Sequence, residues 1–229
     1  MTNPLAHLRR TPLRRMLETA GARWHPLADT ALAHHVGTQD GSGAVLIADL
    51  TPLPRLGFKG RGTIEAIKER GVVVDAVPNM AFRQPDGGLC LVLAPGEVIL
   101  LSNLAGDGGS LDQMFSSWRL EDEERTYPLL RRDSHAWFMV SSVSAPAMFA
   151  KVCAIDLRPE KFPDLAIAQT SVAKMPAILV RADTGNRVTY HILADSAAAM
   201  YLCTCLIDAA KAFGGQLAGL KDVEGTRGQ

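Results

Sequence analysis

Residues 133–153 read DSHAWFMVSSVSAPAMFAKVC, and this stretch predicts a strand, a turn and a helix in direct succession. The apolar run 135–140 is typical of a buried strand. Pro146 lies in the first turn of the predicted helix 145–153, where its missing N–H costs little. A strand followed at once by such a helix indicates an α+β unit, with the helix covering a face of an antiparallel sheet.

The first half of the chain shows the same order of elements. Strands are predicted at 44–50 and 55–59, followed by a helix at 64–69 that Gly71 ends. The stretch 88–102 predicts a hairpin, because its centre reads Ala-Pro-Gly-Glu, a sequence typical of a turn. A helix at 110–118 follows, with its apolar residues on one face: Leu111, Met114, Phe115 and Trp118.

The second half continues with a long strand predicted at 171–181 and another at 188–193. The final helix is predicted at 196–213, ended by two glycines, 214 and 215. Its apolar residues recur at steps of three and four: Met200, Cys203, Leu206, Ile207 and Ala210.

Both halves therefore read strand, helix, strand, turn, strand, helix, which indicates an internal duplication of a split β-α-β-like unit. The predicted fold class is α+β, built from duplicated units of antiparallel sheet and helix. We expect an N-terminal extension at 1–43, a first repeat at 44–120, a second at 127–215 and a flexible C-terminal tail at 216–229. An acidic link, 121–124, lies between the repeats.

Composition excludes several classes of partner. The 229 residues include 24 basic and 24 acidic side chains, so the net charge is zero and neither a nucleic-acid surface nor a polybasic membrane anchor is expected. The most apolar stretch, 89–101, is interrupted by Pro95, Gly96 and Glu97, so no membrane helix is predicted there. The segment 1–10 is polar and basic, without the apolar core of a signal peptide.

The four cysteines are Cys90, Cys153, Cys203 and Cys205, each among apolar neighbours. They predict buried free thiols in a reducing cytoplasm, since their spacing matches neither a zinc site nor a disulfide framework. No metal site is expected.

The sequence predicts no catalytic residue. Asp133, Ser134 and His135 resemble a triad by type, but adjacent residues on one strand cannot align as orienter, nucleophile and base. His34 and His35 form a weak metal site without acidic neighbours. His191, on a predicted strand, could face either a pocket or solvent.

Several segments together resemble a known family. They are Thr11-Pro12-Leu13, GARWHPL at 21–27, ADLTPLPR at 48–55, DSHAWF at 133–138, AQTSVA at 168–173 and YHIL at 190–193. In this order they resemble the aminomethyltransferase (glycine-cleavage T-protein) superfamily, and most closely its sarcosine oxidase gamma subunit family. The resemblance spans about residues 10–215.

The resemblance implies the duplicated folate-binding fold of the GcvT/TrmE-like type, without the C-terminal barrel of a full-length T-protein. Two departures stand out. The family's folate-positioning acid is missing from GGLCLV at 87–92, and a second family acid aligns with His191 after Tyr190. Both losses imply that no catalytic residue is retained, and they leave Tyr190 and His191 as the predicted lining of a remnant folate-like pocket.

By this resemblance, the chain is expected to be an accessory, gamma-type subunit of a cytoplasmic, heteromeric oxidative N-demethylase acting on methylated amines, of the sarcosine oxidase or dimethylamine mono-oxygenase type. Flavin or heme would belong to partner subunits, and tetrahydrofolate is the implied ligand of the fold. A short tetrahydrofolate-dependent aminomethyl or formaldehyde transferase is the alternative. A folate-binding iron–sulfur maturation factor is the second alternative, although its K-G-C-Y-x-G-Q signature is missing here.

Overall fold

The structure is a computed structural model that describes residues 1–37, 44–119 and 125–224. The predicted acidic link, 121–124, lies outside these residues. Within the described part, the chain divides into two compact units. Unit 1 is drawn from residues 1–52, 135–164 and 170–229, and unit 2 from residues 53–134 and 165–169.

The described ranges form thirteen strands and six α-helices. The strands are β1 (Ala22–Leu27), β2 (Thr30–Val36), β3 (Leu46–Asp49), β4 (Arg55–Gly60), β5 (Met80–Arg83), β6 (Leu89–Ala94), β7 (Glu97–Leu101), β8 (Thr126–Leu130), β9 (His135–Ser141), β10 (Ile167–Val172), β11 (Met175–Arg181), β12 (Thr189–Asp195) and β13 (Gln216–Ala218). The helices are α1 (Arg14–Thr19), α2 (Thr63–Glu69), α3 (Gly109–Ser117), α4 (Ala145–Phe149), α5 (Ala199–Ala210) and α6 (Leu220–Glu224).

Unit 1 is organised around a six-stranded sheet with the order β10-β11-β12-β9-β3-β13. The pairs β11–β12, β12–β9 and β9–β3 are antiparallel, and β13 joins β3 in parallel. In this register His191 of β12 lies opposite Met139 of β9 and Val180 of β11. The antiparallel sheets with helices confirm the predicted α+β class.

Unit 2 contains a five-stranded antiparallel sheet with the order β5-β6-β7-β4-β8. Its core includes Phe58 and Trp118, whose ring centroids are 4.4 Å apart. The Trp118 indole donates to the Thr126 carbonyl at 3.2 Å, and the Arg70 guanidinium lies 4.0 Å above the same ring. Trp118 therefore joins the end of α3 to β8 and to the core.

Some local predictions are confirmed and others are wrong. The hairpin at 88–102 forms as β6 and β7, and the helix at 64–69 forms as α2. The single strand predicted at 171–181 is wrong, because the chain turns at Ala173 and Lys174 and makes two strands instead. Both residues have positive φ, +50° and +67°, which suits a tight hairpin turn.

Helix faces also differ from the predictions. No residue of α3 is fully buried: Leu111 and Met114 are partly buried against the core of unit 2, and Phe115 is 40% exposed. On α5 the buried residues are Ala199, Leu202, Cys203, Leu206, Ala209 and Ala210, so the buried stripe is rotated from the predicted one and Met200 points to solvent. The helix predicted at 145–153 ends at Phe149.

The C-terminal segment differs from the flexible tail expected at 216–229, since residues 216–224 form β13 and α6. Leu220 and Val223 are buried. The Asp222 carboxylate accepts the Val36 N–H at 2.8 Å and the Gly219 N–H at 2.7 Å, and it lies 2.7 Å from His35 Nδ1. Residues 225–229 lie outside the described part. The repeat boundaries at 44–120 and 127–215 stay a prediction.

The helical run Ser196–Phe213 passes a test of length and composition for membrane-spanning helices among the described residues. This is weak evidence, because core helices of soluble proteins pass the same test. One face of this run is the buried stripe of α5.

Candidate functional site

Strand β12 holds the two residues predicted to line a pocket. Tyr190 and His191 are consecutive on this strand, so their side chains point to opposite faces of the sheet. Both are buried, at 0% and 3% exposure. The structure therefore places them in two separate environments.

Tyr190 lies in an aromatic cluster. Its ring centroid is 5.3 Å from that of Phe149 in an edge-on arrangement and 6.5 Å from that of Phe162. The hydroxyl donates to the Leu157 carbonyl at 2.5 Å. Burial raises the pKa of Tyr190 to about 12, so the phenol is a neutral donor at physiological pH.

Arg181 of β11 lies opposite Tyr190 and is nearly buried. Its Nε and Nη2 bind the two oxygens of Asp183 at 3.0 and 2.5 Å, and the hydrogen bond to this carboxylate raises the pKa of the arginine. Nη1 donates to the carbonyls of Phe162 at 2.9 Å and Pro159 at 3.3 Å. The Arg181 guanidinium therefore connects residues 159–162 to the end of β11, opposite Tyr190.

His191 lies on the opposite face of β12, beside Trp137 of β9. The indole Nε1 is 3.0 Å from His191 Nδ1, and their ring centroids are 5.7 Å apart. An indole N–H can only donate, so Nδ1 is the acceptor and the neutral ring holds its proton on Nε2. The hydrogen bond from Trp137 therefore fixes the orientation of the His191 imidazole.

Tetrahydrofolate is the ligand that the family resemblance implies. The Tyr190 hydroxyl is committed to Leu157, the His191 Nδ1 atom is committed to Trp137, and the two side chains face opposite ways. As they stand, they do not fit one shared pterin site. These two side chains therefore support no step of folate chemistry, and a folate-like pocket at either residue stays a prediction.

Strand β6 contains most of the stretch 87–92, where the sequence resemblance implies the loss of a folate-positioning acid. Its residues Leu89, Cys90, Leu91 and Val92 are all buried. Burial raises the pKa of the Cys90 thiol to about 12, which keeps it protonated. This strand offers neither a carboxylate nor a thiolate at neutral pH.

Asp49, at the end of β3, is a buried carboxylate within the ADLTPLPR segment. It accepts hydrogen bonds from the Thr11 hydroxyl and, at 2.9 Å, from the Thr51 N–H. Together with burial, its charge raises the pKa of the Cys203 thiol to about 12. These contacts join the N-terminal segment to β3 and give Asp49 a structural role.

Trp137 is the partner that sequence reasoning did not assign to the site. It lies 54 positions from His191, and only the register of β9 against β12 places both side chains on one face. Among the described residues, no group of three or more His, Cys, Asp and Glu side chains could hold a metal ion.

Replacing Tyr190 with phenylalanine is expected to cost about 1 kcal/mol of unfolding free energy, because the Leu157 carbonyl loses its donor. The folded-state pKa lies above the ordinary value of 10, so the stability gained from the protonated hydroxyl is present below pH 10 and lost as pH rises toward 12. Urea unfolding at pH 8 and pH 11 measures both effects. Tyr127→Phe, at an exposed position of β8, is the matched control. An equal alkaline loss in wild type and Tyr190→Phe would contradict the assignment.

Comparison with known proteins places this geometry in a known fold. Neither a protein-family profile nor a curated protein matches the sequence. A heterotetrameric sarcosine oxidase from Corynebacterium sp. U-96 is similar in structure, with a TM-score of 0.69 and 21% identity over 92% of this chain and 98% of that chain.

The glycine cleavage system aminomethyltransferase T from Bartonella henselae is also similar, with a TM-score of 0.70 and 13% identity over 96% of this chain. This chain spans 62% of that protein. Identities this low show the fold alone. The chain therefore has the α+β fold shared by these two proteins, the GcvT-like fold.

Proposed function

We propose that this chain is an accessory, gamma-type subunit of a heteromeric oxidative N-demethylase that acts on methylated amines. The observation that supports it most is the end-to-end similarity to a chain of a heterotetrameric sarcosine oxidase, which covers 92% of this chain and 98% of that one. An alignment that leaves almost nothing over on either side is expected of two subunits of one type.

The arrangement around β12 supports an accessory role. The Tyr190 hydroxyl is bound to a backbone carbonyl, and the imidazole of His191 is held by Trp137. Strand β6 presents buried apolar residues where the folate-positioning acid would stand. Such a chain would stabilise the assembly in the cytoplasm. Flavin or heme would be bound by partner subunits, and tetrahydrofolate would bind at a site that those subunits form alone or together with this chain.

The proposal is tested by purification from the cells that encode the chain. A tagged copy expressed from its own locus is expected to co-purify with a larger flavin- or heme-containing polypeptide in fixed stoichiometry. The eluate is expected to oxidise N-methylglycine or dimethylamine with release of formaldehyde. A soluble, stable monomer without partner polypeptides would contradict the proposal.

A short tetrahydrofolate-dependent transferase is the second candidate, favoured by the similarity to the aminomethyltransferase from Bartonella henselae. Calorimetric titration of the isolated chain with tetrahydrofolate distinguishes the two. The accessory role predicts no binding by this chain alone at high micromolar ligand. Binding that His191→Phe abolishes and Tyr127→Phe preserves would favour the transferase and place the pocket at His191.

A further inference from the structure

The N-terminal segment presents two apolar side chains to solvent although its backbone is held in place. Leu5 is 50% exposed and Leu8 is 90% exposed. The Asn3 side chain accepts the Leu5 N–H at 2.9 Å. Further along, the Arg9 N–H donates to the Asp29 carbonyl at 3.0 Å. A segment whose backbone is held by hydrogen bonds and which exposes two leucines is a candidate contact surface.

The N-terminal part of the chain, from residue 1 to residue 37, is basic although the whole chain has zero net charge. Residues 1–37 contain five arginines and only two carboxylates. Arg9 pairs with Asp29 and Arg14 pairs with Glu18, which uses both carboxylates. Arg10, Arg15 and the exposed Arg23 of β1 therefore lack a carboxylate partner among the described residues, and Arg10 lies against the exposed Leu5, to whose carbonyl it donates.

Met16, which follows Arg15 in α1, borders an apolar groove of about 360 Å³. The opposite wall is formed by Thr204, Cys205, Ile207 and Asp208 of α5 and by Lys211, which follows α5 and pairs with the Asp208 carboxylate at 2.9 Å. The groove is large enough for one aromatic or branched side chain. Leu5, Leu8, Arg10, Arg15 and Met16 are named here the N-terminal strip.

We infer that the N-terminal strip is a docking surface for a partner polypeptide whose contacting segment is acidic and inserts an apolar side chain beside Met16. The inference rests on the proposed accessory function and specifies the chemistry of the contact. Charge complementarity selects the acidic partner, because Arg10 and Arg15 would gain carboxylates that no described residue gives them. The exposed leucines and the groove at Met16 supply apolar contact area for the partner.

Two other occupants fit the strip less well. A second copy of the chain, related by two-fold symmetry, would place the basic strip against itself. An anionic membrane would gain little from two arginines, because stable surface binding takes a larger basic cluster. Both remain outcomes of the test.

Site-specific photo-crosslinking tests the surface in the complete protein. A photoreactive phenylalanine analogue at Leu8 is expected to crosslink to a partner polypeptide in the source cells, and mass spectrometry is expected to find the attachment within an acidic peptide. The same analogue at Val143, which is 77% exposed, is the matched control and is expected to give no such product. Attachment to a second copy of the chain, or to a basic peptide, would overturn the inference.

Charge reversal measures the electrostatic part with the partner identified by crosslinking. The double variant Arg10→Glu/Arg15→Glu is expected to weaken the complex about tenfold or more at low salt, with less effect at high salt. Arg61→Glu/Lys161→Glu makes the same change in charge at other exposed positions and is expected to leave affinity unchanged. Thermal unfolding verifies that both variants are folded.

Two results overturn the docking surface while the proposed function stands. One is a co-purified complex with no crosslink from position 8, and the other is equal affinity in both double variants. Wild-type binding to vesicles of 30% phosphatidylserine that is lost in Arg10→Glu/Arg15→Glu would assign the strip to a membrane instead. Recovery of no complex at all overturns the proposed function together with the docking surface.

Discussion

Replacing Arg181 with methionine is expected to lower the free energy of unfolding by about 3 kcal/mol. The substitution leaves the Asp183 carboxylate without its bidentate partner and removes the donor from the carbonyls of Phe162 and Pro159. Only 10% of the Arg181 side chain and 20% of the Asp183 side chain are exposed, so water replaces few of these bonds. Methionine keeps most of the aliphatic volume, which limits the change to the lost polar contacts. Equilibrium urea unfolding at neutral pH measures the loss.

The chain supplies a matched control for this substitution. Asp156 and Arg158 form an ion pair with the same spacing of two residues, with closest atoms 2.6 Å apart, but on the surface. Arg158→Met is expected to leave the unfolding midpoint unchanged, because exposed pairs contribute little. Equal effects of the two substitutions would show that the contacts of Arg181 are no more valuable than those of a surface pair.

Replacing Gly219 with alanine is expected to cost about 2–3 kcal/mol and to release α6 from β2. A Cβ atom at this position would lie 2.2 Å from the carbonyl carbon of His34, 2.3 Å from its oxygen and 2.3 Å from the nitrogen of His35. Backbone atoms of a paired strand cannot rotate away as a side chain can. The Gly219 N–H, which donates to Asp222, would move with the segment.

Hydrogen exchange separates local release from global loss of stability. Gly219→Ala is expected to accelerate exchange of the Val36 amide, which donates to Asp222, more than that of amides in β6. Gly109→Ala is the control, since a Cβ there meets only Asp107 Oδ1, at 3.4 Å. Wild-type exchange at Val36 in the Gly219 variant would mean that the close approach is relieved without undocking.

The sequence predicted those elements whose signals are local. The Pro-Gly turn identifies the hairpin of β6 and β7, and Gly214, which has a φ of +61°, marks the end of the helical run 196–213. The turn between β10 and β11 was missed because Ala173 and Lys174 adopt positive φ without being glycine. Propensity assigns such residues to a strand or a helix, and only the pairing partners reveal the turn.

The candidate site was less predictable, because it depends on register between distant strands. Tyr190 and His191 were identified by alignment, but a pattern of consecutive buried residues does not tell which face each occupies. The Trp137–His191 contact needs the register of β9 against β12, and the Tyr190–Leu157 bond needs the path of a loop. Neither the register of these strands nor the path of this loop is marked by a recognisable pattern in the sequence.

The division of the chain has a consequence for its synthesis. Strand β3 belongs to unit 1, yet its partners β9 and β13 are translated only after the whole of residues 53–134. Unit 2 comes largely from one continuous stretch, so its sheet can begin to form while the chain is still on the ribosome. During this time the backbone N–H and C=O groups of β3 have no strand to pair with. Long-range pairing of this kind slows folding and leaves the nascent chain open to aggregation. Chaperone dependence in vivo is therefore expected to concentrate on the interval before β9 leaves the exit tunnel.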